Sequence, residues 1–309
     1  MAEYQWGIAL HGGAGTIPRA ALTPEKEAAC HDGLARALKA GTDILADGGS
    51  SLDAVEATVV ELENDENFNA GYGSVLTSDA TFELDAAIMR GSDLEAGAVI
   101  GVNKVEHPIS LARLIMEQSE HLLFSRDGAH EFAREMGISE VEPNFFFTEY
   151  RHQQLLAAQK ASVVSLDHND GKYGTVGAVA RDRFGGLAAA TSTGGMTNKK
   201  TGRVGDAPLI GAGTYANDKS CAVSATGHGE MFIRMCVARD IAAMMEYGGA
   251  SLEDAVRRKV MDELPTIDGA GGVVAIGQSG APVLMMNTNG MYRASQIEGG
   301  TPTTAIFSD

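Results

Sequence analysis

The segment with the most chemical promise is Gly174-Thr-Val-Gly-Ala-Val-Ala180. A threonine heads an apolar strand there, directly after Ser165-Leu-Asp-His-Asn-Asp-Gly-Lys172, a polar, turn-prone connector of the sort that is open to chain cleavage. Cutting before Thr175 would give it a free α-amine beside its own hydroxyl. An unperturbed α-amine has a pKa near ~7.7 to 8.0, so roughly a tenth or more is neutral at pH 7 and able to act as a base. Nucleophile and base would then sit on one residue. On spacing alone, an ordinary strand threonine is the simpler reading.

Other constellations carry less. The eight histidines (11, 31, 107, 121, 130, 152, 168, 228) contain no i, i+4 pair and no His-Glu-x-x-His, which argues against a transition-metal site. Gly211-x-Gly-x-x-Ala216 has the glycine spacing of a dinucleotide fingerprint. A turn at Asn217-Asp218 and another strand follow it, however, where pyrophosphate needs a helix N-terminus. His11-Gly-Gly-Ala-Gly15 has the look of an esterase oxyanion loop, yet no Gly-x-Ser-x-Gly nucleophile elbow follows. That loop is either a tight turn under the core or one wall of an active site.

The elements that must position these residues come in runs of helices and runs of strands along the chain. Ile8 to Leu10 reads as a buried strand ending in the glycine turn. Thr23-Pro24 opens a helix that continues through Leu34, Leu38, Ile44 and Leu45 to Asp47-Gly-Gly49. Ser50 and Asp53 open a second by capping-box logic, with Leu52, Val55, Val59 and Leu62 on one face. Strands are expected over 82–89 and 96–102, and helices over 109–122, 129–136 and 150–161. Beyond the connector, 175–181 with 187–191 and 208–215 with 222–226 read as hairpins. Helices over 230–247 and 251–264 come next, then strands over 273–276, 282–286 and 291–294. Runs of helices and runs of strands indicate an α+β class, with helices covering antiparallel sheets.

Composition narrows the partners. The 309 residues carry 24 Lys+Arg against 41 Asp+Glu, a net charge of −17, which excludes the basic footprint of a nucleic-acid or anionic-membrane binder. No apolar run approaches the ~20 residues of a bilayer span. The opening Met-Ala-Glu-Tyr-Gln-Trp-Gly lacks the basic-then-apolar pattern of a secretory leader, so a cytoplasmic setting is expected. Cys30, Cys221 and Cys236 suit buried thiols better than a disulfide framework. Glycine is plentiful, 38 residues against a usual ~7% of a chain, and clusters at the ends of apolar runs.

Read together, His11-Gly-Gly-Ala-Gly15, Phe68-Asn-Ala-Gly71, Glu83-Leu-Asp-Ala86, Gly174-Thr-Val-Gly-Ala-Val-Ala180, Thr191-Ser-Thr-Gly-Gly-Met196, Gly202-Arg-Val-Gly-Asp206 and Thr226-Gly-His-Gly-Glu230 resemble, in order, the isoaspartyl peptidase and plant-type L-asparaginase family of N-terminal nucleophile hydrolases. The resemblance covers essentially the whole chain and overturns the ordinary reading of Thr175. It implies a four-layer αββα sandwich, one domain over 1–309, that cleaves itself into an α fragment, 1–174, and a β fragment, 175–309. The substrates it implies are L-asparagine and β-aspartyl dipeptides.

By the same resemblance Thr175 is the nucleophile and Thr193 the threonine whose hydroxyl supports it. Thr226 and Gly227 are the oxyanion donors, and Asn69 lies near the nucleophile. Arg203 and Asp206 hold the substrate's α-carboxylate and α-amine, a pairing that makes physical sense because a guanidinium grips a carboxylate with two parallel bonds. A surface ion pair, a turn and a capping threonine are the plainer readings of Arg203/Asp206, Thr226-Gly227 and Thr193. The family implies no cofactor for catalysis, but a structural sodium ion on backbone carbonyls of Leu62, Glu63, Asp65, Phe68, Ala70 and Tyr72, oxygen ligands suited to a hard cation. It also implies a dimer of αβ units.

Two departures bear on self-cleavage: the stretch between Gln154-Leu-Leu-Ala-Ala158 and Thr175 is short, and Tyr173 precedes Gly174. Glycosylasparaginases, the alternative enzyme, tend to have Asp before the nucleophile and to be exported, and Gly174 speaks against them. An uncleaved interaction protein of the same fold is the alternative from another class.

Overall fold

Side-chain alternation on neighbouring strands decides which residues meet in this protein. The computed structural model describes residues 5–15, 17, 19, 22–161 and 174–308. The polar connector 165–172 and Tyr173 lie outside the described residues. Before the connector come β1 (Gly7–Gly15), α1 (Pro24–Ala46), α2 (Ser51–Glu63), β2 (Leu84–Arg90), β3 (Ala96–Val102), α3 (Pro108–Gln118), β4 (Leu123–Ser125), α4 (Arg126–Glu135) and α5 (Glu149–Lys160). After it come β5 (Val176–Arg181), β6 (Leu187–Thr193), β7 (Thr214–Ala216), β8 (Cys221–Gly227), α6 (Gly229–Arg234), α7 (Val237–Gly248), α8 (Leu252–Arg257), β9 (Gly271–Gly277), β10 (Val283–Met286), β11 (Gly290–Ile297) and β12 (Thr303–Phe307).

The caps act as the sequence suggests. Thr23 Oγ1 accepts from the Lys26 amide, and Ser50 Oγ accepts from the Asp53 amide at 3.1 Å while donating to the Asp53 carboxylate at 2.6 Å.

Eight strands form one sheet in the order β12-β11-β1-β5-β6-β2-β3-β4, and four form another in the order β10-β9-β8-β7. In the large sheet only β3 and β4 run parallel. Segments from both sides of Gly174 interleave there: β5 lies against β1, and β6 against β2. One face of the large sheet, with Ile8, Leu10, Val176, Ala178, Ala180, Ala188 and Ala190, packs on α1, α2 and α3. The alternate residues Ala9, Val179, Leu187 and Ala189 join a second core with Val223, Ala225, Val273 and Ala275 of the small sheet. That core continues to Val237, Ile241, Val256 and Val260 of the segment 237–260, so the order is helices, sheet, sheet, helices. This is the expected α+β sandwich.

Some boundaries differ, for local reasons. The helix expected over 109–122 stops at Gln118, because Ser119 turns extended (φ −121°, ψ 149°) and frees 123–125 to become β4. The strand expected over 208–215 is mostly a curled loop. The amides of Ala212 and Gly213 turn back to the carbonyls of Leu209 and Asp206, leaving only β7. The helix expected over 230–247 is two, broken where Cys236 adopts a left-handed φ of 45°. The break lets the amides of Ala238 and Arg239 donate to Ala212 and Gly211. Regular α-helix in the 251–264 stretch ends at Arg257, and wider π-type turns follow over Arg258–Glu263. Strand β12, which the sequence reading lacks, covers the free edge of β11. Cys30 and Cys221 are buried as expected, but Cys236 is exposed. No helix among the described residues is long and apolar enough to cross a membrane.

The two sheets meet tightly at Gly177 of β5. A Cβ there would lie 2.0 Å from Ser224 Oγ and 2.8 Å from His11 Nε2. Gly177→Ala should therefore cost ~1–3 kcal/mol of unfolding free energy by overpacking, read as a lowered denaturant midpoint. An unchanged midpoint would mean that the sheets can part there without cost.

Candidate active site

Along β5 and the residue before it, period-2 alternation aims Thr175, Gly177 and Val179 at the small sheet. On β6 the same rule gives Thr191 and Thr193, and their hydroxyls bond groups lying between the sheets. From β1 comes His11, and from β8 come Ser224 and Thr226. Thr175, at the mouth of this space, is only 8% exposed.

Its hydroxyl donates to Thr193 Oγ1 at 3.1 Å. Thr193 Oγ1 also accepts the Gly195 amide at 2.9 Å, so two donors fix its lone pairs. Asn69, fully buried, does not bond Thr175. Its side chain donates to Gly195 O at 2.7 Å and accepts the Val75 amide, while its carbonyl accepts the Gly194 amide. It holds the turn that follows Thr193. From the other face of the strand, Ser192 donates to the buried Glu63 carboxylate at 2.6 Å.

Gly174 is wedged between two elements. Residue 13 takes a φ of +114° where β1 bulges between His11 and Gly13, and a Cβ on Gly13 would strike Gly174 N at 2.3 Å. A Cβ on Gly174 would lie 3.1 Å from Thr226 Oγ1. Gly13 is needed for the approach, and a side chain at Gly174 would crowd Thr226 Oγ1. Thr226 Oγ1 accepts the Ala14 amide at 3.2 Å, which leaves its own proton to give elsewhere. At φ +149°, with Ala270 O only 2.3 Å from a would-be Cβ, Gly227 has no room for a side chain.

A single cavity is lined by Gly174, Thr175, Thr193, Arg203, Asp206 and Gly227. Thus most of the site residues expected from sequence share one wall, with Thr226 and Asn69 just behind it. The surface-ion-pair reading of Arg203 and Asp206 does not hold. Arg203, 17% exposed in its side chain, is gripped by Glu230 instead, Nε to Oε1 at 2.9 Å and Nη2 to Oε2 at 2.8 Å. That grip holds the Glu230 carboxyl below the usual range. Asp206 is 3% exposed, with no hydrogen bond to Oδ2 among the described residues. Burial pushes its carboxyl up to about 7. Bare Gly229 leaves open the space beside both groups: a Cβ there would lie 2.9 Å from Asp206 Oδ1 and 3.0 Å from Arg203 Nη2.

Sequence reasoning missed Glu230 and the place of His11, though both lie inside the quoted motifs. His11 Nδ1 donates to Thr175 O at 2.9 Å. Among the described residues no cluster of His, Cys, Asp or Glu is arranged to hold a metal. The loop of the expected sodium ligands is tightly turned at Gly73. A Cβ on Gly73 would lie 2.9 Å from both Glu66 O and Phe68 O, and Glu63 O and Asp65 O cap the turn by accepting the Tyr72 and Phe68 amides.

A four-layer αββα sandwich with a threonine heading a central strand, its hydroxyl in a cavity with an arginine and a buried acid, defines a hydrolase of the N-terminal nucleophile type. The sequence model of the asparaginase family matches residues 4–306. The isoaspartyl peptidase of Salmonella typhimurium is 52% identical over 308 residues, covering 98% of each chain. That of Escherichia coli is 51% identical, covering 98% of this chain and 96% of its own. The isoaspartyl peptidase/L-asparaginase of Xenopus laevis is 42% identical, covering 93% and 91%. The chain belongs to the asparaginase family.

Asp206 gives the site a pH signature. Its folded pKa lies above the unfolded carboxyl value, so the fold favours its protonated form, and stability falls as pH rises from about 4 through about 7. Asp206→Asn, neutral throughout, should gain on the wild type across that window, by up to ~4 kcal/mol at 1.36 per unit. Urea unfolding of both proteins at pH 4.5 and pH 8 measures it. A difference that does not grow with pH would show that Asp206 is not held neutral by burial.

Proposed function

We propose that this protein is an isoaspartyl peptidase and L-asparaginase that matures by cleaving itself before Thr175. The observation that carries the reading is the Thr175 hydroxyl, bonded to Thr193 in the cavity that also holds Arg203 and Asp206. The names of the bacterial and vertebrate relatives support the substrate class.

In maturation, Thr175 Oγ attacks the Gly174 carbonyl carbon, the Gly174–Thr175 C–N bond breaks, and an ester forms while the nitrogen takes up the proton. Water then opens the ester, leaving a Gly174 carboxylate and a free Thr175 amine and hydroxyl. Fragments 1–174 and 175–309 stay together because their strands interleave in the large sheet.

In turnover, the α-amine takes the hydroxyl proton as Oγ attacks the substrate's β-carbonyl. Thr226 Oγ1–H and the Gly227 amide stabilise the oxyanion. The leaving nitrogen takes the proton from the amine and departs as ammonia or an amino acid, and water hydrolyses the β-aspartyl ester to L-aspartate. Thr193 holds the hydroxyl of Thr175 in line, and Asn69 holds the turn behind Thr193. Arg203 takes the α-carboxylate and Asp206, once ionised, the α-ammonium.

No cofactor enters these steps. The 62–72 loop suits a structural sodium ion on carbonyls of Leu62, Glu63, Asp65, Phe68, Ala70 and Tyr72, and its contribution is to fix the loop that carries Asn69. A dimer of αβ units in the cytoplasm completes the reading. The exposed Cys236 thiol and the net charge of −17 suit a reducing compartment and a small-molecule substrate.

Thr175→Ala should remain one chain and be inactive, whereas the wild type yields two fragments on a denaturing gel. Cleavage at 174 in the variant, read by intact mass, would remove the threonine from the mechanism. The same gel excludes or supports the uncleaved, non-catalytic alternative.

The pocket should also read linkage. A β-linked dipeptide presents a free α-carboxylate to Arg203, but an α-linked one has used it in the peptide bond and leaves Arg203 with Glu230 alone, a loss of charge-assisted hydrogen bonding worth ~1.5–3 kcal/mol. That corresponds to roughly tenfold to a hundredfold in kcat/KM for β-Asp-Leu over α-Asp-Leu, at roughly 1.36 kcal/mol per decade. Equal values for the two peptides, or an undiminished preference in Arg203→Ala, would assign the pocket another ligand.

A further inference from the structure

Between the sheets runs a series of polar contacts that the mechanism above does not use. Thr214 Oγ1 lies 2.7 Å from Thr191 Oγ1, Thr191 Oγ1 2.7 Å from Ser224 Oγ, Ser224 Oγ 2.9 Å from His11 Nε2, and His11 Nδ1 2.9 Å from Thr175 O. All five residues except Thr175 are fully buried. Burial pushes the His11 imidazole down to about 3, so the ring is neutral at working pH and has one proton to place.

The far end of the series decides where that proton goes. Thr175 O is a carbonyl and can only accept, so Nδ1 must be the N–H, and Nε2 is left as the acceptor. Ser224 therefore spends its only proton on Nε2 and cannot also give it to Ala190 O, 3.2 Å away. Its contact with Thr191 then requires Thr191 to donate, and the contact of Thr191 with Thr214 requires Thr214 to donate. Thr214 thus leaves Ala207 O, at 2.9 Å, without that proton. Every hydroxyl points the same way, toward the nucleophile.

Thr175 needs such an anchor. The ladder of β5 begins at Val176 on the β6 side and at Gly177 on the β1 side, so no sheet partner takes the Thr175 carbonyl. Before cleavage the peptide link to Gly174 also restrains the residue, but afterwards that link is gone. The series begins at Thr214, on the loop whose Gly213 amide bonds Asp206 O.

We propose that His11 is a positioning residue for Thr175, held as its Nδ1–H tautomer by a one-way chain of hydroxyl donors from Thr214 through Thr191 and Ser224. The proposal rests on Thr175 being the nucleophile, and the experiment separates the two. Nitrogen-15 NMR of histidine-labelled wild-type protein, with the His11 signals assigned by their loss in His11→Asn, reads the tautomer directly. The proton should be on Nδ1.

His11→Asn keeps an N–H donor near the Nδ1 position, and His11→Leu does not. Loss of one buried hydrogen bond should lower kcat for L-asparagine roughly tenfold to a hundredfold in His11→Leu. The asparagine variant should recover most of that, and Ser224→Ala should fall between them. KM should move less than threefold in all three. A proton on Nε2, an imidazolium, or equal kcat in the leucine and asparagine variants overturns the proposal. An active Thr175→Ala protein would instead overturn the nucleophile assignment and leave the tautomer result standing.

Discussion

The structure depends on how closely two sheets can approach at one strand. Face-to-face sheets ordinarily stand ~10 Å apart, with side chains filling the gap. Here Gly177 removes a side chain from the middle of β5, and Ser224 Oγ and His11 Nε2 occupy the space its Cβ would need. The diagonal neighbours of Gly177 on β1 and β6, Ala9 and Ala189, are small. Close approach brings hydroxyl and imidazole groups from β1, β6, β7 and β8 into mutual hydrogen-bond range, where bulkier cores would hold them apart. Each would be costly if unpaired at this burial, so the polar layer is stable only when every proton has a place.

That constraint shows which parts of the site were legible in the sequence. Thr175 was marked by its place at the head of an apolar strand after a polar connector. Its role and those of Thr193, Thr226 and Gly227 were legible only through the resemblance of the ordered motifs to a known family, since a strand threonine, a capping threonine and a turn leave the same local marks. The Thr23 and Ser50 caps and the core positions of α1 and α2 follow from local chemistry. Glu230 was not legible as the partner of Arg203, since 27 residues and two strands, β7 and β8, separate them and only the fold of α6 against the 202–206 turn joins them. The same holds for His11: its glycine-rich surroundings suggested a loop, while its partners sit 164 and 213 residues away. The miscast helix over 230–247 has a related cause. Its apolar spacing continues through Cys236, but the carbonyls of Gly211 and Ala212 offer partners to the next turn's amides, and tertiary bonds override the period.

The glycines need a different account from the caps. Composition marks them as abundant, but only geometry says which ones are obligatory. Gly13 and Gly174 lie against each other, and Gly227 lies against Ala270 and Gly271. A side chain at Gly13 or Gly227 would displace backbone, whereas one at Gly174 would press only on Thr226 Oγ1. Gly48, Gly249 and Gly280 have open space where a Cβ would go. Crowding is not confined to the site, since a Cβ on Gly97 would lie 2.0 Å from Ala112 O, so each glycine has to be judged by what its own Cβ would meet.

Electrostatics explain why the pocket is stable before a ligand enters. Arg203 is neutralised by Glu230, and burial keeps Asp206 largely protonated until the pH approaches about 7. No lone charge is stranded at low dielectric. An amino-acid headgroup brings one positive and one negative charge, so its arrival adds no net charge to the site. On the function proposed above, its ammonium would replace the missing counter-ion of Asp206 and draw that carboxyl toward ionisation, while its carboxylate would join Glu230 around a guanidinium already oriented by two bonds. A ligand carrying only one of these groups would leave either the acid protonated or the arginine shared with Glu230 alone. On that proposal the pocket would read both α-substituents together, because the proton on Asp206 and the grip of Glu230 are the two states that a free headgroup would have to exchange at once.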